Sequence, residues 1–203
     1  MSDVSPDWAY LSRVAEAPCA ELAAMVSVFG VQETAERVRR LAVPDRVRTI
    51  VQSRHDIDSS RQDLETLARL GGRLVTPDDP EWPGWQFQDF ATIDTKRMPN
   101  GRAPLALWVL GEHSLSEVTS RAAALVGTRA CTGYGEHVAA DLASGLAANE
   151  MAVVSGGAFG IDGAAHRAAL ACEGITVAVL AGGVDVPYPS AHSGLLYRIA
   201  RHG

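Results

Sequence analysis

AALVGTRACTGYG at Ala123 to Gly135 and, further on, VVSGGAFGIDGAAHRAAL at Val153 to Leu170 decide how this chain is read. Each is an apolar run that breaks at glycine and small hydroxyl residues and then resumes with helical periodicity, which predicts a strand, a tight turn and a helix N-terminus. Unpaired backbone N–H groups and the positive end of the helix dipole point out of such turns, and glycine lets a bulky anion approach the backbone. Two such turns side by side predict a phosphate cradle.

Working outward, the stretch from Ala122 to Gly203 alternates AAALVG, EHVAADLASGLAAN, MAVVSG, IDGAAHRAALACE, ITVAVLAGG and AHSGLLYRIAR. Runs of small apolar residues separated by helical patterns predict an α/β fold, a Rossmann-like parallel sheet with helices on both faces. From Trp8 to about Leu70 the apolar residues recur at three- and four-residue steps, and Gly30, Pro44 and Gly71 punctuate them, so a small all-helical bundle precedes the sheet. The expected domains are 1–70 and 71–203. Between Gly72 and Arg121 lies a proline- and tryptophan-rich connecting layer containing a polar stretch from Lys96 to Arg102. There Leu105 to Leu110 is expected to add a strand to the edge of the next sheet, with Trp82, Trp85 and Phe87 packed on its face.

Composition narrows the classes. With 203 residues, 47% hydrophobic, the chain has material for one sizeable core and a smaller unit. A net charge of −6 argues against a generally basic coat, so any nucleic acid must meet a focused patch. The arginines between Arg37 and Arg54 are interrupted by Asp45 and read as a solvated helix face. Cys19, Cys131 and Cys172 have neither metal-like nor disulfide-like spacing and read as reduced core thiols, which points to the cytoplasm. The acidic MSDVSPDWAY start and the lack of a long apolar run predict no export and no membrane span.

The motifs are not those of common nucleotide sites. G-x-G-x-x-G with an acidic residue closing the second strand is missing, and no Gly-Lys-Ser/Thr follows a strand, so NAD and ATP are disfavoured and no cofactor is expected. Arg129 is the leading candidate, a guanidinium at the carboxyl edge of the sheet that matches a phosphate bidentately. Gly127, Thr128, Thr132, Tyr134 and Gly135 complete the first turn, with Thr132 able to cap a helix or touch phosphate. Ser155, Gly156 and Gly157 form the second turn, and Phe159 at its tip either stacks on a base or packs on the sheet. Asp162 and His166, four apart, read as a cap and a hydrogen-bonded histidine; no third ligand is spaced to make a metal site. The VDVPYP turn, Asp185 with Pro187, Tyr188 and Pro189, is expected to shape the cradle.

GTRACTGYG, SGGAFGID with AAH, and TVAVLAGGVDVPYP, in this order, resemble the DNA processing protein A family, DprA or Smf, over Asp79 to His202; DPEWP and PLALWVLGE fit the same pattern. The resemblance implies an extended Rossmann-like fold that binds and protects single-stranded DNA and helps load RecA recombinase in natural transformation, with no catalytic residues. It implies DNA contacts at Gly127, Arg129, Ser155 and Gly156. The family's domain continues beyond the point where this chain stops, so the chain resembles a truncated member, missing part of the pocket and the contacts of a homodimer. The helical unit resembles a sterile-alpha-motif-like domain, but Ala17-Pro18-Cys19-Ala20 lacks the glycines of a helix-hairpin-helix clamp. Two other readings stand beside it: a Rossmann-like nucleotide hydrolase or nucleotide-binding protein, and a folded fragment acting only as an interaction module.

Overall fold

In the computed structural model, residues 5–15, 18–94, 97–98 and 101–203 are described. The opening tetrapeptide, Ala17 of the Ala17–Ala20 turn and Lys96 of the polar stretch lie outside them. The chain divides into two compact units, Met1–Trp108 and Val109–Gly203.

The helical periodicity of the first unit is realised as α1 (Ser5–Val14), α2 (Ala20–Phe29), α3 (Val31–Arg39), α4 (Asp45–Val51) and α5 (Ser60–Arg69). Their apolar stripes converge on Trp8, Tyr10, Leu11, Val14, Leu22, Val38, Val47 and Val51, all buried. Each fully buried aliphatic side chain here contributes roughly 2 kcal/mol of transfer free energy. Gly30, at φ 79°, ends α2 and opens α3, its N–H donating to Val26 O at 2.8 Å. Pro44 is the residue before α4.

The arginine run behaves as a solvated face. Arg37 pairs with Glu33, Arg40 with Glu36 and Arg46 with Glu21, while Arg48 donates to Leu41 O. Arg39 is structural: it bridges Asp7 at 3.0 Å and Asp58 at 2.9 Å and lies 4.3 Å from the centre of the Tyr10 ring, tying α1 and α3 to the segment before α5.

The connecting layer departs from expectation. β1 (Gly72–Val75) and β2 (Leu107–Leu110) pair with each other in a two-stranded sheet, so the second does not extend the parallel sheet. The reason is local packing: Leu74 and Leu105 lie against the helical core, and Trp108 Nε1 donates to Ser12 Oγ at 3.3 Å. The first compact unit runs to Trp108. Prolines restrict the intervening chain to α6 (Gly84–Phe87) and a 3-10 turn, Gln88–Thr92. Trp82, Phe87 and Phe90 stack edge to face, with centroids 5.1 and 5.7 Å apart, whereas Trp85 points outward at 77% exposure and packs on no strand.

The second unit follows the βα alternation: α7 (Leu115–Ser120), β3 (Ala122–Ala124), α8 (Gly133–Ala148), β4 (Ala152–Ser155), α9 (Ile161–Ala171), β5 (Thr176–Ala178), a 3-10 turn (Ser190–His192) and α10 (Ser193–His202). The strands lie in the order β3-β4-β5, all parallel, with Ala123 opposite Val153 and Val154 opposite Val177. Successive right-handed crossovers that step in one direction across a sheet place their helices on one side. Accordingly α8 and α9 pack together on β4, where Ala143, Val153, Ala165 and Ala169 are buried. On the same side α10 meets α9 and β5 through Leu170, Leu196, Ile199 and Ala178. Small residues at these contacts let the helices approach closely, which explains the alanine-rich sequence of α9. The α/β Rossmann-like class is therefore realised, preceded by the helical unit, and the three long helices form one layer.

Candidate nucleic-acid interface

Because the three strands run parallel, the loops that follow them emerge at one edge, where ligands of open α/β sheets bind. Two backbone bonds carry the ladder past the strand ends: Leu125 N–H donates to Val154 O at 2.9 Å and Val179 N–H to Ser155 O at 2.8 Å. Ser155 itself is 3% exposed, and its hydroxyl donates to Leu125 O at 2.6 Å. It staples the first turn to the second.

The first turn is braced from within. Thr128 Oγ1 accepts from Ala130 N–H at 3.2 Å, and its carbonyl accepts the Ile161 N–H that opens α9. Gly127 is bare because a Cβ there would stand 2.6 Å from Ile161 Cγ1, so this glycine serves the packing of α9. Gly160, at φ +74°, passes so close to the first turn that a Cβ would overlap the Thr128 carbonyl oxygen and lie 2.7 Å from that of Arg129. Thr132 is the N-cap of α8 and accepts from Gly135 N–H at 3.2 Å. Tyr134 is 78% exposed beside it. Arg129 is exposed and, among the described residues, makes no ion pair or hydrogen bond.

The second turn is satisfied by its own helix. Asp162, 6% exposed, reaches back so that Oδ2 accepts from Gly156 N–H at 3.1 Å and Ala158 N–H at 3.4 Å. The carboxylate occupies the place that an anion would take in an empty turn of this kind. Phe159 projects from the turn and is 44% exposed.

A groove of about 350 Å³ lies at this edge, lined by Arg129, Gly156, Phe159, Val179, Val186, Tyr188 and Pro189 among others. Arg129 is its only cation among the described residues. Of the residues singled out in the sequence, Arg129, Gly156 and Phe159 meet in this groove. Ser155 and Gly157 are buried beneath it, Gly127 and Thr128 build the first turn, and Thr132, Tyr134 and Gly135 stand at the start of α8 outside the lining. The VDVPYP turn shapes the groove as anticipated. ITVAVLAGG reads as a strand in the sequence, but β5 ends at Ala178 and leaves Val179 61% exposed on the groove.

His166, fully buried, belongs to the fold. Thr176 Oγ1 spends its one proton on Val153 O at 2.8 Å, so His166 Nδ1–H is the donor in its 2.7 Å bond to Thr176. Its Nε2 has no partner among the described residues. Burial pushes its pKa down from 6.5 to about 4, with the Asp162 carboxylate opposing part of that shift and His192 and Arg167 adding to it. The cysteines are only partly as expected: Cys19 is buried, but Cys172 is exposed at the C-terminus of α9, and all three are free. No group of three metal-ligating side chains occurs among the described residues.

A three-stranded parallel sheet alternating with helices defines the second unit as a Rossmann-like α/β fold. A family model described as DNA recombination-mediator protein A matches residues 73–203, and the chain belongs to that family. It is 62% identical over 196 residues to a DNA processing protein DprA of Mycobacterium tuberculosis, covering 97% of this chain and 50% of that protein. It is 39% identical over 159 residues to protein Smf of Escherichia coli, covering 76% of this chain and 39% of that one. The X-ray structure of DNA processing protein A from Streptococcus pneumoniae superposes with a TM-score of 0.67 at 25% identity, over 96% of this chain and 64% of that one. The chain spans about half the length of the M. tuberculosis relative.

Proposed function

We propose that this chain binds single-stranded DNA in the groove at the carboxyl edge of its parallel sheet, protects it, and hands it to RecA recombinase in the cytoplasm, acting by binding and not by catalysis. The observation that carries this reading is the meeting of an unpaired guanidinium, Arg129, with exposed rings, Phe159 and Tyr188, across one groove. Arginine takes the phosphate, a ring takes an unstacked base, and neither reads sequence. Gly127, Thr128, Ser155, Gly156 and Gly157 build the two turns that hold this pair; Thr132, Tyr134 and Gly135 extend the phosphate track along the start of α8. Membership in the recombination-mediator family supports DNA as the ligand. Among the described residues no helix is long and apolar enough to cross a membrane.

Labelled oligonucleotides followed by fluorescence anisotropy test the proposal. Single strands are expected to bind more tightly than duplex of the same length, because paired bases cannot turn onto Phe159 or Tyr188. Affinity is expected to fall linearly with the logarithm of salt concentration, as phosphate contacts release counterions. Equal affinity for duplex and single strand overturns the proposal.

Arg129→Ala is expected to weaken binding by about 1–3 kcal/mol, the range for a charge-assisted hydrogen bond, with little change in thermal unfolding, since Arg129 packs against no core cluster. Retained affinity with a large drop in stability would make Arg129 structural. A RecA strand-assembly assay on oligonucleotide already covered by this chain tests the handover; no acceleration over bare DNA counts against it.

A further inference from the structure

The SGGAFG turn carries Phe159 to the groove, yet its composition works against holding a ring in place. Three glycines in six residues make it the segment with most backbone freedom to lose on ordering. Asp162 fixes the turn from below. A second residue, buried beside the turn, fixes it as well. His192 ends the Ser190–His192 turn, is 9% exposed, and is anchored by its own N–H donating to Pro189 O at 2.9 Å. Its Nδ1 lies 2.9 Å from Gly157 O, and since a carbonyl only accepts, Nδ1 carries the proton and donates. The same ring meets Phe159 edge to face, centroids 4.7 Å apart at 61°. Room for it is made on α9, where a Cβ on Gly163 would come within 2.8 Å of His192 Cε1.

We propose that His192 is a positioning residue for the groove: by holding the Gly157 carbonyl and the Phe159 ring together it presents Phe159 ready to stack on an unpaired base. This rests on the reading of the groove as a single-stranded DNA site. The ring is ordered before DNA arrives, so the complex is spared the entropy of ordering it and the gain falls on the dissociation rate. His192 acts only through Phe159 and the turn. Its contribution is therefore confined to base stacking and absent from phosphate contact.

The experiment compares His192→Ala, His192→Asn and Phe159→Ala on two single-stranded oligonucleotides of equal length, one natural and one abasic through its centre. On the natural strand His192→Ala is expected to raise Kd about tenfold, a fraction of what base–aromatic stacking supplies. On the abasic strand it is expected to match the unmodified chain. The double variant with Phe159→Ala is expected to bind no more weakly than Phe159→Ala alone. His192→Asn keeps an N–H where Nδ1 stood and is expected to recover part of the loss; it also serves where His192→Ala fails to fold. Equal losses on both strands, additivity with Phe159→Ala, or no loss at all overturn the proposal. Amide exchange at residues 156–160 reads the same clamp without DNA and is expected to speed up in His192→Ala. If the unmodified chain binds no DNA, the functional reading fails, and unchanged exchange independently overturns the clamp.

Discussion

Gly160→Ala is expected to destabilise the α/β unit by about 3–5 kcal/mol, enough to leave most of it unfolded at moderate urea. Two penalties add at this residue. Its φ of +74° is strained for any side chain, and the new Cβ would overlap the Thr128 carbonyl, which is itself fixed by the Ile161 N–H. Neither element can yield without parting the first turn from α9. Trp8, Trp82, Trp85 and Trp108, the chain's four tryptophans, all lie in the Met1–Trp108 unit, so the two units can be read separately. Urea unfolding by tryptophan emission is expected to stay put, whereas the helical circular dichroism signal loses part of its amplitude at much lower urea. A variant with the circular dichroism transition of the unmodified chain would show that the two turns are not locked together.

Acid is expected to cost this unit roughly 3 kcal/mol through one imidazole. His166 has its pKa lowered from 6.5 to about 4 in the fold, chiefly by burial. Between those values the unfolded chain takes up a proton that the folded chain refuses, so stability is complete above pH 6.5 and falls as pH drops toward 4. The size follows from the width of that window at about 1.4 kcal/mol per pH unit. Carboxylates titrate in the same range, so the measurement is a difference. Urea midpoints of the unmodified chain and of His166→Asn, which keeps a donor toward Thr176, are compared between pH 7 and pH 4.5. The variant is expected to lose clearly less. Parallel curves would mean that His166 titrates alike in the folded and unfolded chain.

The sheet and its helices were legible because burial imposes its period directly on sequence: β3, β4 and β5 and the helices after them fall where the apolar runs and glycine breaks place them. The strand at Leu107 was recognisable too, but not its partner. Pairing is decided by which core receives Leu74 and Leu105, a long-range contact that leaves no local period. The site shows the same division. Arg129, Gly156 and Phe159 meet as their turns suggested, since parallel strands bring consecutive loops to one edge. Gly127 and Ser155 carried a ligand signal in the sequence, yet their neighbours in the fold are Ile161 and Leu125. A glycine that admits a phosphate and one that admits an isoleucine look alike in a sequence. His192 gave no signal, because its hydrogen-bond partner Gly157 lies 35 residues earlier in the chain.

The carboxylate of Asp162 has a bearing on selectivity. Tied to the start of α9, six and four residues from the amides it bonds, it confronts any incoming anion as an intramolecular rival with the advantage of effective concentration. Inorganic phosphate, bringing one anionic group and nothing else, is expected to lose that contest for the Gly156 and Ala158 amides. In the proposed mode of binding a strand leaves Asp162 undisturbed, setting one phosphate on Arg129 and a base on Phe159, and gains from the connection between them. If the groove is a single-strand site as proposed, the turn discriminates by chain length: its own acid opposes small anions at these amides and leaves a strand free to bind beside them.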